Sequence, residues 1–179
     1  MNVPLSAIVV MGVAGCGKSS IGSAIAGLSG GRLIEGDAFH PAANIAKMSA
    51  GIPLDDDDRA GWLVRLGQEL LDVAAAGERP ILTCSALKRR YRDTLRDAMP
   101  GVGFVFLELT PADAEQRVLA RPGHFMPASL IDSQFAALEP PHGEPLTLAL
   151  DATRPVADLA KAVDTWLKPC GDRSLARTA

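Results

Sequence analysis

The chain has 179 residues, of which 47% are hydrophobic and 22% are charged, and its formal net charge is −3. This length suits one domain with a buried core, and the composition is that of a soluble globular protein rather than a disordered one. A sequence pI near 5.6 argues against a nucleic-acid binder, which usually carries a basic face. No apolar run approaches the roughly 18 residues of a membrane span, so we expect neither nucleic acid nor a membrane among the partners.

The three cysteines, Cys16, Cys84 and Cys170, lie far apart and form no C-x-x-C pair. Their number and spacing give neither a disulfide framework nor a zinc site. The apolar start at 5–11 has no basic residue before it and leads into a glycine-rich loop, which favours a buried strand over a signal peptide. These features predict a protein of the reducing cytoplasm.

Short apolar runs alternate with amphipathic segments along the chain. The runs predict five strands, at 6–11, 32–35, 80–84, 102–109 and 146–150. The other segments predict helices at 18–28, 41–51 (one or two turns), 56–76, 87–99, 111–121, 127–138 and 156–167. Because the strands are apolar throughout, they predict a parallel sheet with helices on both faces. We expect a single α/β domain over 1–168 and a frayed tail over 169–179, with a strand order that this pattern does not reveal.

A phosphate-binding loop follows the first predicted strand. The sequence G-V-A-G-C-G-K-S fits G-x-x-x-x-G-K-[ST] and comprises Gly12, Val13, Ala14, Gly15, Cys16, Gly17, Lys18 and Ser19. It lies between a buried strand and a helix, the setting that this motif requires. Backbone N–H groups and the helix N-terminus would surround the phosphates, Lys18 would reach the β- and γ-phosphates, and the Ser19 hydroxyl would help to hold Mg²⁺. The motif therefore predicts ATP and Mg²⁺ as cofactors.

A phosphate loop alone leaves three classes open: a small-molecule kinase, a GTPase-type switch and the ATPase module of an assembly. The base-reading N-K-x-D of a GTPase is absent, and strand three ends T-C-S without the acid of a motor ATPase. Both observations favour a kinase whose second acid comes from elsewhere. Asp37 directly follows strand two, at the sheet edge where active sites form, and would orient a substrate hydroxyl and accept its proton. Asp37 as a cap of the next helix is the alternative, and Glu35, inside the strand, is the poorer catalytic candidate.

Several further blocks resemble the gluconokinase family. They include E-G-D-A-F-H-P at 35–41, N-I-A-K-M at 44–48, G-I-P-L at 51–54, C-S-A-L-K at 84–88 and G-H-F-M-P at 123–127. With shorter matches between them, the blocks cover residues 8 to about 150 in one order. The resemblance implies ATP-dependent phosphorylation of D-gluconate at its 6-hydroxyl, giving 6-phospho-D-gluconate. It also implies a P-loop kinase fold like that of adenylate kinase, with strand order 2-3-1-4-5, and commonly a homodimer.

Basic side chains are candidates for binding the carboxylate of gluconate. Lys88 and Arg92 are one helical turn apart on a predicted helix, where Arg92 could bind a carboxylate through two parallel hydrogen bonds. A basic surface pair is the alternative. His40 follows Asp37 by three residues and is expected to line the same pocket, with packing or capping as the alternative.

A lid is predicted at about 117–127, where a helix runs into a glycine-containing loop. Arg121 is expected near the transferred phosphate, Arg117 near the base of the nucleotide, and His124 near the substrate. Pro122, at a position where the family often has a more flexible residue, could stiffen this segment. The four aspartates at 55–58 are expected to complement a helix dipole.

Two readings of the whole chain remain as alternatives. One is a shikimate-type kinase of the same fold, although strand three ends C-S-A rather than in glycines. The other is a nucleotide-gated regulator that has lost phosphoryl-transfer activity. The presence of all four candidate residues argues against it: Lys18, Ser19, Asp37 and Arg121.

Overall fold

The computed structural model describes residues 5–120 and 128–168. Most of the predicted lid, with Arg121 and His124, and the predicted tail at 169–179 lie outside these residues. The described chain consists of one sheet with helices on both of its faces.

All five predicted strands are present and run parallel in one sheet. They are β1 (Ala7–Met11), β2 (Arg32–Glu35), β3 (Pro80–Thr83), β4 (Val102–Glu108) and β5 (Thr147–Asp151). Their order is β2-β3-β1-β4-β5, which confirms the order that the resemblance implied. In the central register, Val9 lies opposite Leu82 of β3 and Phe104 of β4. Every residue of β1 is buried because this strand has neighbours on both edges and helices on both faces.

The helices follow the predicted order with small differences at their ends. They are α1 (Lys18–Ser29), α2 (Ala42–Ser49), α3 (Asp56–Ala75), α4 (Arg89–Ala98), α5 (Pro111–Leu119), α6 (Ala128–Ala137) and α7 (Val156–Leu167). A short 3₁₀ turn, Gly36–Phe39, which the sequence did not predict, follows β2. Helix α4 begins two residues later than predicted. None of the helices within 5–120 and 128–168 is long and apolar enough to cross a membrane.

Sequence-local capping explains where two of these helices begin. Asp55 and Asp58 form a capping box at the start of α3, in which each side chain accepts a hydrogen bond from the other residue's backbone N–H. Thr110 caps α5, whose first residue is Pro111. Both devices satisfy N–H groups that the first helical turn leaves unpaired.

The sheet separates two apolar cores. Alternate residues of β1 point to opposite faces, so Val9 joins a core with Trp62 and Leu95 of α3 and α4, while Val10 joins a core with Ile25 of α1 and Leu159 of α7. Both faces of the sheet are therefore covered by apolar side chains, and the polar groups of the site lie where the strands end.

Close packing between α3 and α4 gives a stability prediction. A Cβ atom added at Gly67 would lie 2.7 Å from the Cβ of Ala98, so Gly67→Ala forces the two helices apart. We expect the free energy of unfolding to fall by about 1–3 kcal/mol, measured by urea denaturation. The matched control is Gly61→Ala in the same helix, where nothing lies within 4 Å of the added atom. It should raise stability by about 0.5–1 kcal/mol through helix propensity, and equal effects of the two changes would contradict the packing argument.

Candidate active site

The phosphate loop joins β1 to α1 through glycines in conformations that other residues rarely adopt. Gly12, Gly15 and Gly17 have φ angles of 144°, 81° and 93°. Lys18 Nζ donates to the carbonyl oxygens of Gly12 and Val13, at 3.1 Å each, so its ammonium group lies over the loop. Helix α1 begins at Lys18 without a side-chain cap. This loop has the shape and the polarity of an anion site at a helix N-terminus.

A carboxylate lies directly beside the serine of this loop. Glu35 Oε2 accepts hydrogen bonds from Ser19 Oγ at 2.9 Å and from Thr83 Oγ1 at 2.6 Å. Parallel pairing sets this arrangement, since Glu35 and Thr83 are register partners at the ends of β2 and β3. Asp37, the stronger candidate from sequence, has a side chain that is 85% exposed and lies 3.8 Å from His40 Nε2. The structure thus brings Glu35, rather than Asp37, into contact with Ser19.

The oxygen atoms around Ser19 fit a divalent cation. Mg²⁺ prefers oxygen ligands, is usually held by one or two carboxylates or hydroxyls, and completes its shell with phosphates and water. The Ser19 hydroxyl and the Glu35 carboxylate provide two such ligand groups next to the phosphate loop. No cluster of three or more His, Cys, Asp or Glu suited to a metal occurs in the described part of the chain. Ser19 and Glu35 fit an ion whose remaining ligands come from phosphate and water.

His40 is packed into the core beside this edge of the sheet. Its ring stacks on Trp62 with centroids 4.0 Å apart and planes inclined by 16°. Nδ1 lies 3.3 Å from Asn44 Nδ2, and Trp62 Nε1 donates to the Gly36 carbonyl at 2.9 Å. Burial lowers the pKa of His40, so the neutral imidazole is favoured at neutral pH. Its contacts are those of the packing role, which was the alternative to lining the substrate pocket, and its Nε2 edge is turned towards Asp37.

A cavity of about 350 Å³ opens beside the phosphate loop. Its walls come from the loop itself, from the segment before α3, and from parts of α3, α4, α5 and α6. The polar groups in the lining include Arg59, Lys88, Tyr91 and Gln134. Gln134 Oε1 accepts a hydrogen bond from the Ala14 backbone N–H at 2.7 Å, which ties α6 to the loop. A small polar ligand placed here would lie next to the phosphates of a bound nucleotide.

Arg59 is a cation of this cavity that the sequence analysis did not single out. Its Nη1 donates a long hydrogen bond, 3.4 Å, to Ser85 Oγ, and its guanidinium lies 5.8 Å from the ring centroid of Tyr91. It forms no ion pair with any Asp or Glu of the described residues. The apolar stripe of α3 contains Trp62, Leu63, Leu66 and Leu70, and Arg59 extends that stripe by one turn. The sequence did contain one indication of this role: Arg59 is a basic residue at a position that continues the buried stripe of α3.

The predicted pair of Lys88 and Arg92 is separated in the structure. Lys88 is the N-cap of α4, with extended backbone angles, so its side chain does not follow the helical spacing; it lines the cavity and pairs with Asp56 at 2.9 and 3.1 Å. Arg92 is fully buried. Its donors bind both carboxylate oxygens of Glu144 and three backbone carbonyls, those of Ala86, Leu87 and Glu139.

This arrangement corrects the predicted substrate role of Arg92. All five N–H groups of a guanidinium are engaged in those bonds, so none is left for a ligand. Arg92 instead fastens the connection between β3 and α4 to the loop that holds Glu144. Its role in the structure is to position that connection.

Arg117 links α5 to the connection between β5 and α7. Its Nη2 donates to the Ala152 carbonyl at 2.9 Å. Asp151 Oδ1 accepts from the Thr153 backbone N–H and hydroxyl, and these bonds lower the pKa of Asp151. Helix α5 also packs on the phosphate loop, since a Cβ at Gly15 would lie 3.1 Å from the Ala114 carbonyl. Arg117 therefore lies between the phosphate loop and the connection that follows β5.

The described cysteines are free thiols in the core. Cys16 and Cys84 are both buried, and burial raises the pKa of Cys84 to about 12. The Cys84 thiol is accordingly neutral at physiological pH.

Comparison with known proteins identifies the family. The chain is 46% identical over 136 residues to the thermosensitive gluconokinase of Escherichia coli (strain K12), covering 76% of this chain and 73% of that protein. It is 48% identical over 135 residues to the gluconokinase of Gluconobacter oxydans (strain 621H), covering 75% of each. This chain belongs to the gluconokinase family. No model of a known protein family matches it.

Solved structures agree with this assignment. The chain is 48% identical in sequence to a gluconokinase from Sinorhizobium meliloti 1021 with a known crystal structure. The two structures align over 93% of each chain with a TM-score of 0.83. An APS kinase from Mycobacterium tuberculosis shares only the fold, with 22% identity and a TM-score of 0.65. The gluconokinase assignment thus rests on sequence and structure together, and the P-loop kinase fold is shared more widely.

The buried ion pair of Arg92 and Glu144 gives a pH prediction. The Arg92 guanidinium, and after it that of Arg96, lowers the pKa of Glu144 from 4.5 to about 2. A carboxyl whose pKa is depressed by folding stabilises the protein above its unfolded pKa, and this stabilisation is lost as the pH falls through the folded pKa. Glu144→Gln should therefore be less stable than wild type at pH 7, and the difference should shrink between about pH 4.5 and pH 2.

Urea denaturation across that pH range measures the difference. Glu115→Gln, on the exposed side of α5, is the control and should follow the wild-type curve at every pH. A constant gap between Glu144→Gln and wild type down to pH 2 would contradict the pairing argument.

Proposed function

We propose that this chain transfers the γ-phosphoryl group of ATP to the 6-hydroxyl of D-gluconate, giving 6-phospho-D-gluconate and ADP. The observation that carries the proposal is a phosphate loop of complete sequence beside a cavity that contains Arg59, a cation with no carboxylate partner in the part of the chain that the structure describes. The cavity suits a small hydroxylated carboxylate because its lining joins this cation to hydroxyl, amide and ammonium groups. The named relatives act as gluconokinases, which supports the same substrate here.

Nucleotide binding falls to the loop and to α5. The loop N–H groups and Lys18 would hold the β- and γ-phosphates. Arg117, whose Nη2 donates to the Ala152 carbonyl, would lie near the base. Ser19 and Glu35 are the residues that would hold Mg²⁺. When bound, this ion would neutralise negative charge on the phosphates. Arg121, at the transferred phosphate, and His124, at the substrate, retain the roles predicted from sequence.

Asp37 acts on the substrate hydroxyl. Its carboxylate is exposed at the end of β2, and no partner among residues 5–120 and 128–168 holds it more closely than His40 at 3.8 Å, so it can turn towards a hydroxyl in the cleft. There it orients the nucleophile and accepts its proton as the O–P bond forms. His40 supports Asp37 from the core, and Arg59 and Lys88 face the sugar acid.

Two further features complete the proposal. A homodimer is proposed because the family resemblance implies one, and a cytoplasmic location because the cysteine pattern suits a reducing compartment. A shikimate-type kinase is the alternative enzyme of the same fold, and the sequence identities to gluconokinases favour gluconate over it.

A substrate assay tests the proposal. With Mg-ATP, the protein should phosphorylate D-gluconate at roughly 1–100 per second, while shikimate and uncharged glucose should be poor substrates. Arg59→Gln should raise KM for gluconate by about 10–100-fold, the loss expected for a charge-assisted hydrogen bond, and should change KM for ATP only a few-fold. Arg65→Gln, an exposed arginine two turns along α3, is the control and should leave both constants unchanged. Equal activity on glucose and gluconate would refute a carboxylate site.

The two acids at the end of β2 should separate in kinetics. Asp37→Asn should lower turnover by about 10²-fold or more with nucleotide affinity nearly unchanged, because it removes the proton acceptor. Glu35→Gln should mainly raise the Mg²⁺ concentration needed for half-maximal activity, because Glu35 contacts Ser19. Steady-state kinetics under Mg²⁺ titration, with equilibrium binding of ATP, distinguish the two outcomes. Normal turnover of Asp37→Asn would transfer the catalytic role to Glu35.

A further inference from the structure

Asp56 holds a cluster of charges on the wall of the cavity. It is the first residue of α3, and its carboxylate pairs with Lys88 Nζ at 2.9 and 3.1 Å. The same carboxylate contacts the Arg90 guanidinium and accepts a hydrogen bond from the Tyr91 hydroxyl. All three partners belong to the start of α4, and Asp56, Lys88 and Tyr91 line the cavity.

Favourable interaction with the helix dipole does not account for this arrangement. Asp55 already caps α3, and Asp57 provides another acid in the first turn. Asp57 is exposed and forms no hydrogen bond or ion pair through its side chain with other residues in 5–120 and 128–168. Asp56 differs from Asp57 in that its carboxylate forms ion pairs with two cations beside the cavity, Lys88 and Arg90.

The consequence is a cavity with little uncompensated positive charge. Three cations surround the ring of Tyr91: Arg59 and Lys88 at 5.8 Å from its centroid and Arg90 at 5.7 Å. Asp56 neutralises the second and third, and Arg59 has no carboxylate partner in the described ranges. A ligand with one carboxylate finds a partner in Arg59, whereas a second anionic group would meet cations that are already paired and the Asp56 carboxylate itself.

We propose that Asp56 is a specificity-determining residue that restricts the cavity to sugar acids with a single negative charge. The inference rests on the proposed function and deepens it by naming the charge class of the substrate. Like-charge contacts and already satisfied cations are effective means of rejecting a wrong ligand. The three cations all surround one ring, so they are close enough together for the two ends of a six-carbon dicarboxylate to reach different members.

The experiment compares two ligands on variants that lose one negative charge. D-Glucarate carries a carboxylate in place of the 6-hydroxymethyl group of gluconate, so it is not a phosphate acceptor and serves as a competitive inhibitor. Asp56→Asn keeps the size of the side chain and releases Lys88 and Arg90. Asp57→Asn is the matched control on the same helical turn.

In Asp56→Asn, the ratio of Ki for glucarate to KM for gluconate should fall about tenfold or more relative to wild type, a gain typical of one new charge-assisted contact. Asp57→Asn should leave the ratio at its wild-type value. Adding Lys88→Met to Asp56→Asn should reverse much of the gain, because it removes one of the released cations. Asp56→Ser, which also removes the charge and keeps a hydroxyl, should repeat the result if Asn at this position impairs folding.

Two results would overturn the proposal. One is an equal shift in Asp56→Asn and Asp57→Asn, which would reflect net charge alone. The other is an unchanged ratio of Ki for glucarate to KM for gluconate in Asp56→Asn, because both ligands would then have changed affinity equally. If wild type fails to phosphorylate gluconate, the proposed function is wrong, and calorimetric binding of both ligands to the same variants still decides the role of Asp56.

Discussion

Parallel pairing of β1 with β3, and of β3 with β2, places the ends of three strands at one edge of the sheet. The phosphate loop leaves from β1, the acids Glu35 and Asp37 from β2, and the connection to α4 from β3. Hydrogen bonds between strands fix the heights of these ends, since Thr83 is opposite both Val10 and Glu35. The hydrogen bond from Thr83 to Glu35 follows from this register, because side chains at matched positions of adjacent strands lie on the same face. The same carboxylate oxygen of Glu35 accepts from Ser19 at the start of α1.

The connection between β3 and α4 needs additional support because its backbone is strained. Ala86 has a φ of 44°, a left-handed conformation that residues with a Cβ rarely adopt. Arg92 binds the carbonyls of Ala86 and Leu87, and Glu144 neutralises the buried guanidinium. Removing one member of such a pair leaves an uncompensated buried charge, which typically destabilises a protein by about 3–5 kcal/mol. The same network fixes where α4 begins, and so where Lys88 enters the cavity.

Local sequence information predicted the elements of this fold well. The five apolar runs, the phosphate loop and the helix at 156–167 follow from periodicity and motif alone, and β2 has the predicted bounds. The strand order came from the resemblance, because hydrophobic periodicity carries no information on which strands are neighbours. The 3₁₀ turn after β2 escaped prediction since four residues offer no period to recognise.

The site was predicted less completely, for a physical reason. The roles of Arg92 and Glu144 depend on a contact between residues 52 positions apart, and helical spacing within α4 cannot reveal it. Spacing suggested that Lys88 and Arg92 share a face, but Lys88 is an N-cap with extended backbone angles, so the helical rule does not apply to it. Arg59 was overlooked because an arginine on a helix is usually a surface residue, and only the tertiary structure places it beside Ser85 and Tyr91.

The two acids at the end of β2 lie in different environments, which suit the different tasks proposed for them. Glu35 is tied by two hydroxyl groups, and its position relative to Ser19 is therefore fixed before any ligand binds. Asp37 has passed the end of the strand into the 3₁₀ turn and is 85% exposed, so its carboxylate can rotate. A rigid acid suits a metal shared with phosphates, because coordination geometry tolerates little displacement. A mobile acid suits a substrate hydroxyl, whose position is set only when the sugar acid enters. In the proposed function, different environments rather than different residue types would thus separate cation binding from proton transfer at this edge of the sheet.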